Sequence, residues 1–149
     1  MGGHIMTNTD TYKLLRECNS GIQMGVSSID DVLSAVSDKN MKSALIDSRD
    51  KHEKLGNETH AILNEVGDTT KEPNPMAKGM SWLKTNVKLT FDSSDNTVAD
   101  LITEGCNMGV KSLNKYLNQY EKADEKVKDI TRRLIDLETK LAMDMRAYL

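Results

Sequence analysis

Apolar and small residues recur along much of this chain in alternating steps of three and four. From Thr9 to Val36 they fall at Leu15, Cys18, Ile22, Gly25, Ile29, Val32 and Val36. That spacing predicts one buried face of a helix. Asp38 and Asn40 supply a break and an N-cap signal. A second stripe follows at Met41, Leu45, Ser48, His52, Leu55, Thr59, Ile62 and Val66, and Gly67 then fits a C-terminal cap. A third runs through Val98, Leu101, Gly105, Met108, Leu113, Tyr116 and Tyr120. The fourth takes in Val127, Ile130, Leu134, Leu137, Leu141, Met145 and Tyr148. No stretch sustains period-two alternation, so strands are not expected.

The region between the second and third stripes has a different character. Asp68 to Pro75 is polar and carries both prolines, which reads as a linker. Met76, Met80, Leu83 and Val87 then predict a short amphipathic helix ending near Phe91, and Asp92 to Asn96 is a turn and helix-start signal. The joins within the first and second pairs of long helices are short, which makes antiparallel hairpins. The middle connection, at roughly thirty residues, is too long for a simple turn. The expected fold is therefore all-α: a four-helix bundle of two antiparallel hairpins joined by a long crossover that contains a short helix. Residues 1–6 read as an expression-tag remnant, leaving residues 7–149 as one domain and His52 and His60 as its histidines.

The two hairpins resemble each other in sequence. At an offset of 84, the stretch from Gly21 to Leu33 aligns with Gly105 to Leu117 and shares Gly-x-x-Met-Gly-Val-x-Ser-[Ile/Leu]-x-x-x-Leu. A weaker echo at an offset of 86 aligns Asp50–Leu55 with Asp136–Leu141, and this frame pairs His52 with Glu138. The shared glycines are costly, since each loses about 1 kcal/mol relative to alanine within a helix. Gly21 and Gly25, like Gly105 and Gly109, make one smooth patch per helix. Such patches serve close approach between helices or leave room for a bound molecule at mid-bundle, and close packing is the reading preferred here.

Composition narrows the possible functions. Twenty basic and twenty-three acidic residues give a net charge of −3 without long single-sign blocks. An electrostatic footprint for nucleic acid is thus absent. No apolar run is long enough for a membrane span and no signal peptide is visible, so a cytoplasmic setting is expected. Two cysteines, Cys18 and Cys106, make no disulfide framework and are expected as buried, unreactive thiols. Phosphate-binding loops and a Gly-x-Ser-x-Gly nucleophile elbow are missing. Nine methionines, several on the stripes, suit core filling. A thin apolar content for helical hairpins favours a homodimer, with Trp82 and the short helix near it as one means of pairing.

The duplicated hairpin with a long crossover resembles the ferritin-like superfamily, in particular its small uncharacterised bacterial bundles. The resemblance spans Thr9 to Leu149 at the level of architecture. It implies a site for iron or manganese built from one Glu on each of two helices and Glu-x-x-His on each of the others. Glu17 and Glu104 stand at plausible levels on the first and third helices and are expected to edge the core. The residue three before His52 is Arg49, and three before His60 is Asn57; the fourth helix has no histidine and offers Asp136, Glu138 and Asp144. The di-iron pattern is therefore degenerate. The metal-ligand candidates are Glu17, His52, Glu104 and Glu138.

His52 lies on the apolar stripe, where a hydrogen-bonded core histidine is the commoner outcome and a ligand the rarer one. His60 and Glu53 are expected to face solvent. Three functions remain in play. The leading one is a non-catalytic structural or interaction module whose metal site has been lost. The others are a metal-dependent oxidoreductase with an atypical carboxylate/His site and a small-ligand carrier using the glycine-lined middle.

Overall fold

The computed structural model describes Ile5, residues 7–67 and residues 94–149. These form four long helices, α1 (Thr9–Leu33), α2 (Lys39–Glu65), α3 (Asp95–Gln119) and α4 (Glu125–Met145), with a closing 3₁₀ turn at Arg146–Tyr148. No strand occurs among the described residues. The linker and the short helix expected over Met76–Val87 lie outside them.

Each helix begins where a side chain can satisfy an orphaned backbone donor. Asn8 Oδ1 accepts from Thr11 N at 2.8 Å, Asp38 Oδ1 from Met41 N at 2.8 Å, and Ser94 Oγ from Thr97 N at 3.2 Å. Asp124 Oδ1 accepts from Lys126 N at 2.8 Å. α2 ends at Glu65 and is followed by Gly67, whose φ of 70° is the left-handed conformation that chains leaving a helix commonly use and glycine adopts without strain.

All seven stripe residues predicted for α1 are buried, including Val36, which packs in the core although the helix stops at Leu33. On α3 the face is rotated. The buried positions are Thr97, Val98, Ala99, Ile102, Gly105, Cys106 and Leu113, while Leu101 is half-buried and Met108 is exposed. Ile5, within the segment read as a tag remnant, is buried in the core.

Two apolar clusters fill the interior and fix the helix directions. One joins Ile29 and Val32 from the end of α1 to Met41 and Leu45 from the start of α2, Val98 and Ile102 from the start of α3, and Leu141 and Met145 from the end of α4. The other joins Leu14, Leu15 and Ile22 to Leu55, Leu113, Ile130 and Leu134. α1 therefore runs antiparallel to α2 and to α3, and parallel to α4. Each hairpin is antiparallel, and Val66 and Val98 lie at opposite ends of the bundle. α1 and α4 touch across the short diagonal; α2 and α3 occupy the far corners.

The hairpins hold each other by a reciprocal clasp. Asp95, at the start of α3, accepts from Ser37 N at 2.8 Å and Asp38 N at 2.9 Å in the α1–α2 turn. At the other end, Asp10 accepts from Lys122 N at 3.0 Å and Thr11 Oγ1 from Asp124 N at 2.9 Å in the α3–α4 turn. Asp38 and Asp124, the N-caps of α2 and α4, are equivalent in the 86-residue frame. The first turn of each hairpin thus satisfies backbone donors in the turn of the other.

Candidate functional site

Between the two apolar clusters the interior turns polar. His52 on α2 and Glu138 on α4, the pair matched by the internal repeat, are both fully buried. With them are Ser48, Thr131 and the thiols of Cys18 and Cys106, all buried. An ionisable group so placed has lost its water, and the charged form suffers most.

Glu138 is 1% exposed and its Oε1 has no hydrogen-bond partner among the described residues. Its carboxyl fills the space where Gly109 of α3 lacks a side chain. A Cβ at Gly109 would overlap Oε1 and lie 2.9 Å from Cδ. Burial pushes this carboxyl well above the ordinary value of 4.5, which favours its protonated, neutral form. Gly109 thus serves close approach, but of an acid side chain rather than of a neighbouring backbone.

His52 turns Nδ1 toward its own helix, donating to Ser48 O at 2.8 Å, with Ser48 Oγ at 3.4 Å. Burial pushes the imidazole below its ordinary 6.5, against the opposing pull of the Ser48 carbonyl. The layer therefore holds a base and an acid for which burial favours the uncharged form.

The thiols are equally quiet. Thr131 Oγ1 gives its one proton to Val127 O at 2.8 Å, so the 3.0 Å contact with Cys18 Sγ is a thiol donating to a hydroxyl. Burial, the largest effect, pushes Cys18 up to about 12; Cys106 is also raised, first by burial and then by the Glu138 charge. Neither is a nucleophile at neutral pH.

The other two predicted ligands lie elsewhere. Glu17 is half-buried, as expected, but it accepts from the Tyr116 hydroxyl, and Tyr116 stacks on Tyr120 with ring centroids 6.2 Å apart. Glu104 is exposed, not at the edge of the core. The rotation of α3 explains this, because burying Ile102 and Cys106 turns residue 104 outward. Among the described residues, no three His, Cys, Asp or Glu side chains converge as a metal-binding group. His60 and Glu53 face solvent, lining a groove of about 440 Å³ between α1 and α2 with Asn19, Gln23 and Asn57. A second groove of about 390 Å³ between α2 and α4 is lined by Lys51, Lys54, Glu58 and Arg133. Neither is lined by His52 or Glu138.

Thr131 and the Gly109 notch escaped the sequence reading. The sequence signal for the notch was the repeated glycine pair, but the side chain that fills it is polar and lies on another helix. Among the described residues no helix is long and apolar enough to cross a membrane. The described residues define a class, an all-helical arrangement of four helices packed as a bundle with two buried ionisable groups at mid-height. Compared with protein-family models, curated proteins and solved structures, the chain matches none of them.

Proposed function

We propose that the chain is a ferritin-like bundle that has lost its di-metal site and serves as a non-catalytic structural or interaction module. The helix directions support the ferritin-like reading. α2 ends and α3 begins at opposite ends of the bundle, so a long crossover suits the connection. The dispersal of the candidate ligands carries the functional half. Glu17 is bonded to Tyr116, Glu104 stands in water, His52 Nδ1 faces its own backbone, and the Glu138 carboxyl is packed into a glycine notch. A di-metal centre needs carboxylates that converge on the metals.

Elemental mass spectrometry, after anaerobic incubation with iron(II) and manganese(II) and removal of excess metal, tests the proposal. The expected result is no stoichiometric metal. One or two equivalents, lost on Glu104→Gln or Glu138→Gln, would overturn it in favour of an oxidoreductase or iron-handling role.

A further inference from the structure

Where α2 packs antiparallel on α4, the surface seam between them carries an uneven charge. The groove of about 390 Å³ in this seam is within the size range of small-molecule pockets. Its floor is apolar, with Leu55 buried and Leu137 half-buried. Four cations, Lys51, Lys54, Arg133 and Lys140, surround that floor against two carboxylates, Glu58 and Asp136. The chain as a whole has a net charge of −3, so this excess of cations is local.

The four cations are not equivalent. Arg133 Nη1 and Nη2 each donate to Glu58 at 2.9 Å, and its Nε donates to Asp129 at 3.0 Å. Its fork is therefore filled, and with Glu58 it closes one end of the groove. At the other end Lys51 pairs with Asp47 at 3.0 Å and Lys140 with Asp144 at 2.9 Å, each one turn away on its own helix. Exposed pairs of this kind hold weakly and exchange readily for another anion. Lys54 stands between the two ends, makes no ion pair among the described residues, and acts on Glu58 by charge alone.

We propose that this groove binds a small amphiphilic anion, a carboxylate or sulfonate carried on an apolar body. The body lies on Leu55 and Leu137 and against the methylene stems of the lysines. The head group sits at Lys54, with Lys51 and Lys140 beside it. Because the Arg133 fork is already taken, ammonium groups hold the head as point charges, without the planar geometry a guanidinium would demand. An inorganic anion would leave the leucine floor in water, and a neutral apolar molecule would leave the lysines unanswered. The α1–α2 groove is of similar size, but amides line it at Asn19, Gln23 and Asn57, with the carboxylate of Glu53, so it offers an anion no such welcome. The site is separate from the mid-bundle layer and does not depend on the loss of a metal centre.

Fluorescence titration of the full chain with anilinonaphthalene sulfonate, an anion on an aromatic body, tests the proposal at neutral pH and low salt. One equivalent should bind saturably. Phenylnaphthylamine, the same body without the sulfonate, should bind about tenfold more weakly or worse. Lys54→Glu should weaken the sulfonate by about tenfold or more, and Lys54→Arg should retain it. Lys111→Glu makes the same charge change at an exposed position on α3 and should leave the affinity within about twofold. Both lysines are exposed, and circular dichroism verifies that each variant is folded. Methyl NMR shifts on binding should centre on Leu55 and Leu137. The proposal is overturned if binding does not saturate, or if the neutral body binds as tightly as the anion. It is equally overturned if the Lys54 and Lys111 reversals weaken binding alike, or if the shifts centre on Ile22 and Val26 of the α1–α2 groove.

Discussion

Gly109→Ala is a substitution whose effect should change sign with its background. Alanine is favoured over glycine within a helix by about 1 kcal/mol. At this position, however, the new methyl overlaps Glu138 Oε1 and lies 2.9 Å from Cδ and 3.3 Å from Oε2. The carboxyl has to move, and forcing an extra methyl into a packed interior costs about 1–3 kcal/mol. In the wild-type background the two effects oppose each other, so Gly109→Ala should be neutral or destabilising by up to about 2 kcal/mol. In a Glu138→Ala background the obstacle is gone, and the substitution should stabilise by about 1 kcal/mol. The coupling between the sites is then about 1–3 kcal/mol, well above the roughly 0.5 kcal/mol scatter of independent sites. Urea denaturation of the four proteins, followed by far-ultraviolet circular dichroism, measures it. A Gly109→Ala effect of the same sign and size in both backgrounds would refute the notch.

Two further outcomes follow from the geometry. His52 is lowered from 6.5 and Glu138 is raised from 4.5, each chiefly by burial, so folding favours the neutral form of both. A lowered imidazole takes stability away as pH falls below about 6.5, and a raised carboxyl takes stability away as pH rises above about 4.5, each by at most about 1.4 kcal/mol per unit. Denaturant midpoints across pH should show that Glu138→Gln removes the loss toward alkaline pH and leaves the His52 loss toward acid pH in place. Asp95→Ala, which removes two backbone hydrogen bonds at 2.8 and 2.9 Å, should lower stability by about 1–3 kcal/mol. A loss within error in denaturant titration would mean that the clasp is incidental.

How much of this was legible in the sequence differs between helices. α1 and α2 bury the residues their stripes name, apart from the half-buried Ile62, because each stripe is continuous and the interior along it is filled from its own helix. α3 was rotated by about one residue in the sequence reading, toward Leu101 and Met108. The cause is visible at Gly109: the volume there comes from Glu138 of α4, so the stripe has a gap where an apolar side chain would otherwise mark the face. Hydrophobic periodicity cannot register a core position packed by a carboxyl from another helix. The equivalence of His52 and Glu138 was legible through the repeat, whereas the Glu17–Tyr116 bond joins segments that share no local pattern. The clasp was equally hidden, since Asp10 and Asp95 read as ordinary first-turn acids until the opposite hairpin's turn is placed beside each.

The reciprocity of that clasp has a consequence for divergence. Contacts in which the start of one unit holds the turn of the other, and the reverse, are the kind that two identical hairpins make about a twofold axis. In a symmetric pair every substitution appears twice, so an imidazole at the centre would face the problems of a second imidazole, and a carboxyl those of a second carboxyl. Covalent linkage lifts that restriction. Each half can then keep the geometry of a mate while carrying a different side chain at its centre, as His52 in one hairpin and Glu138 in the other do here.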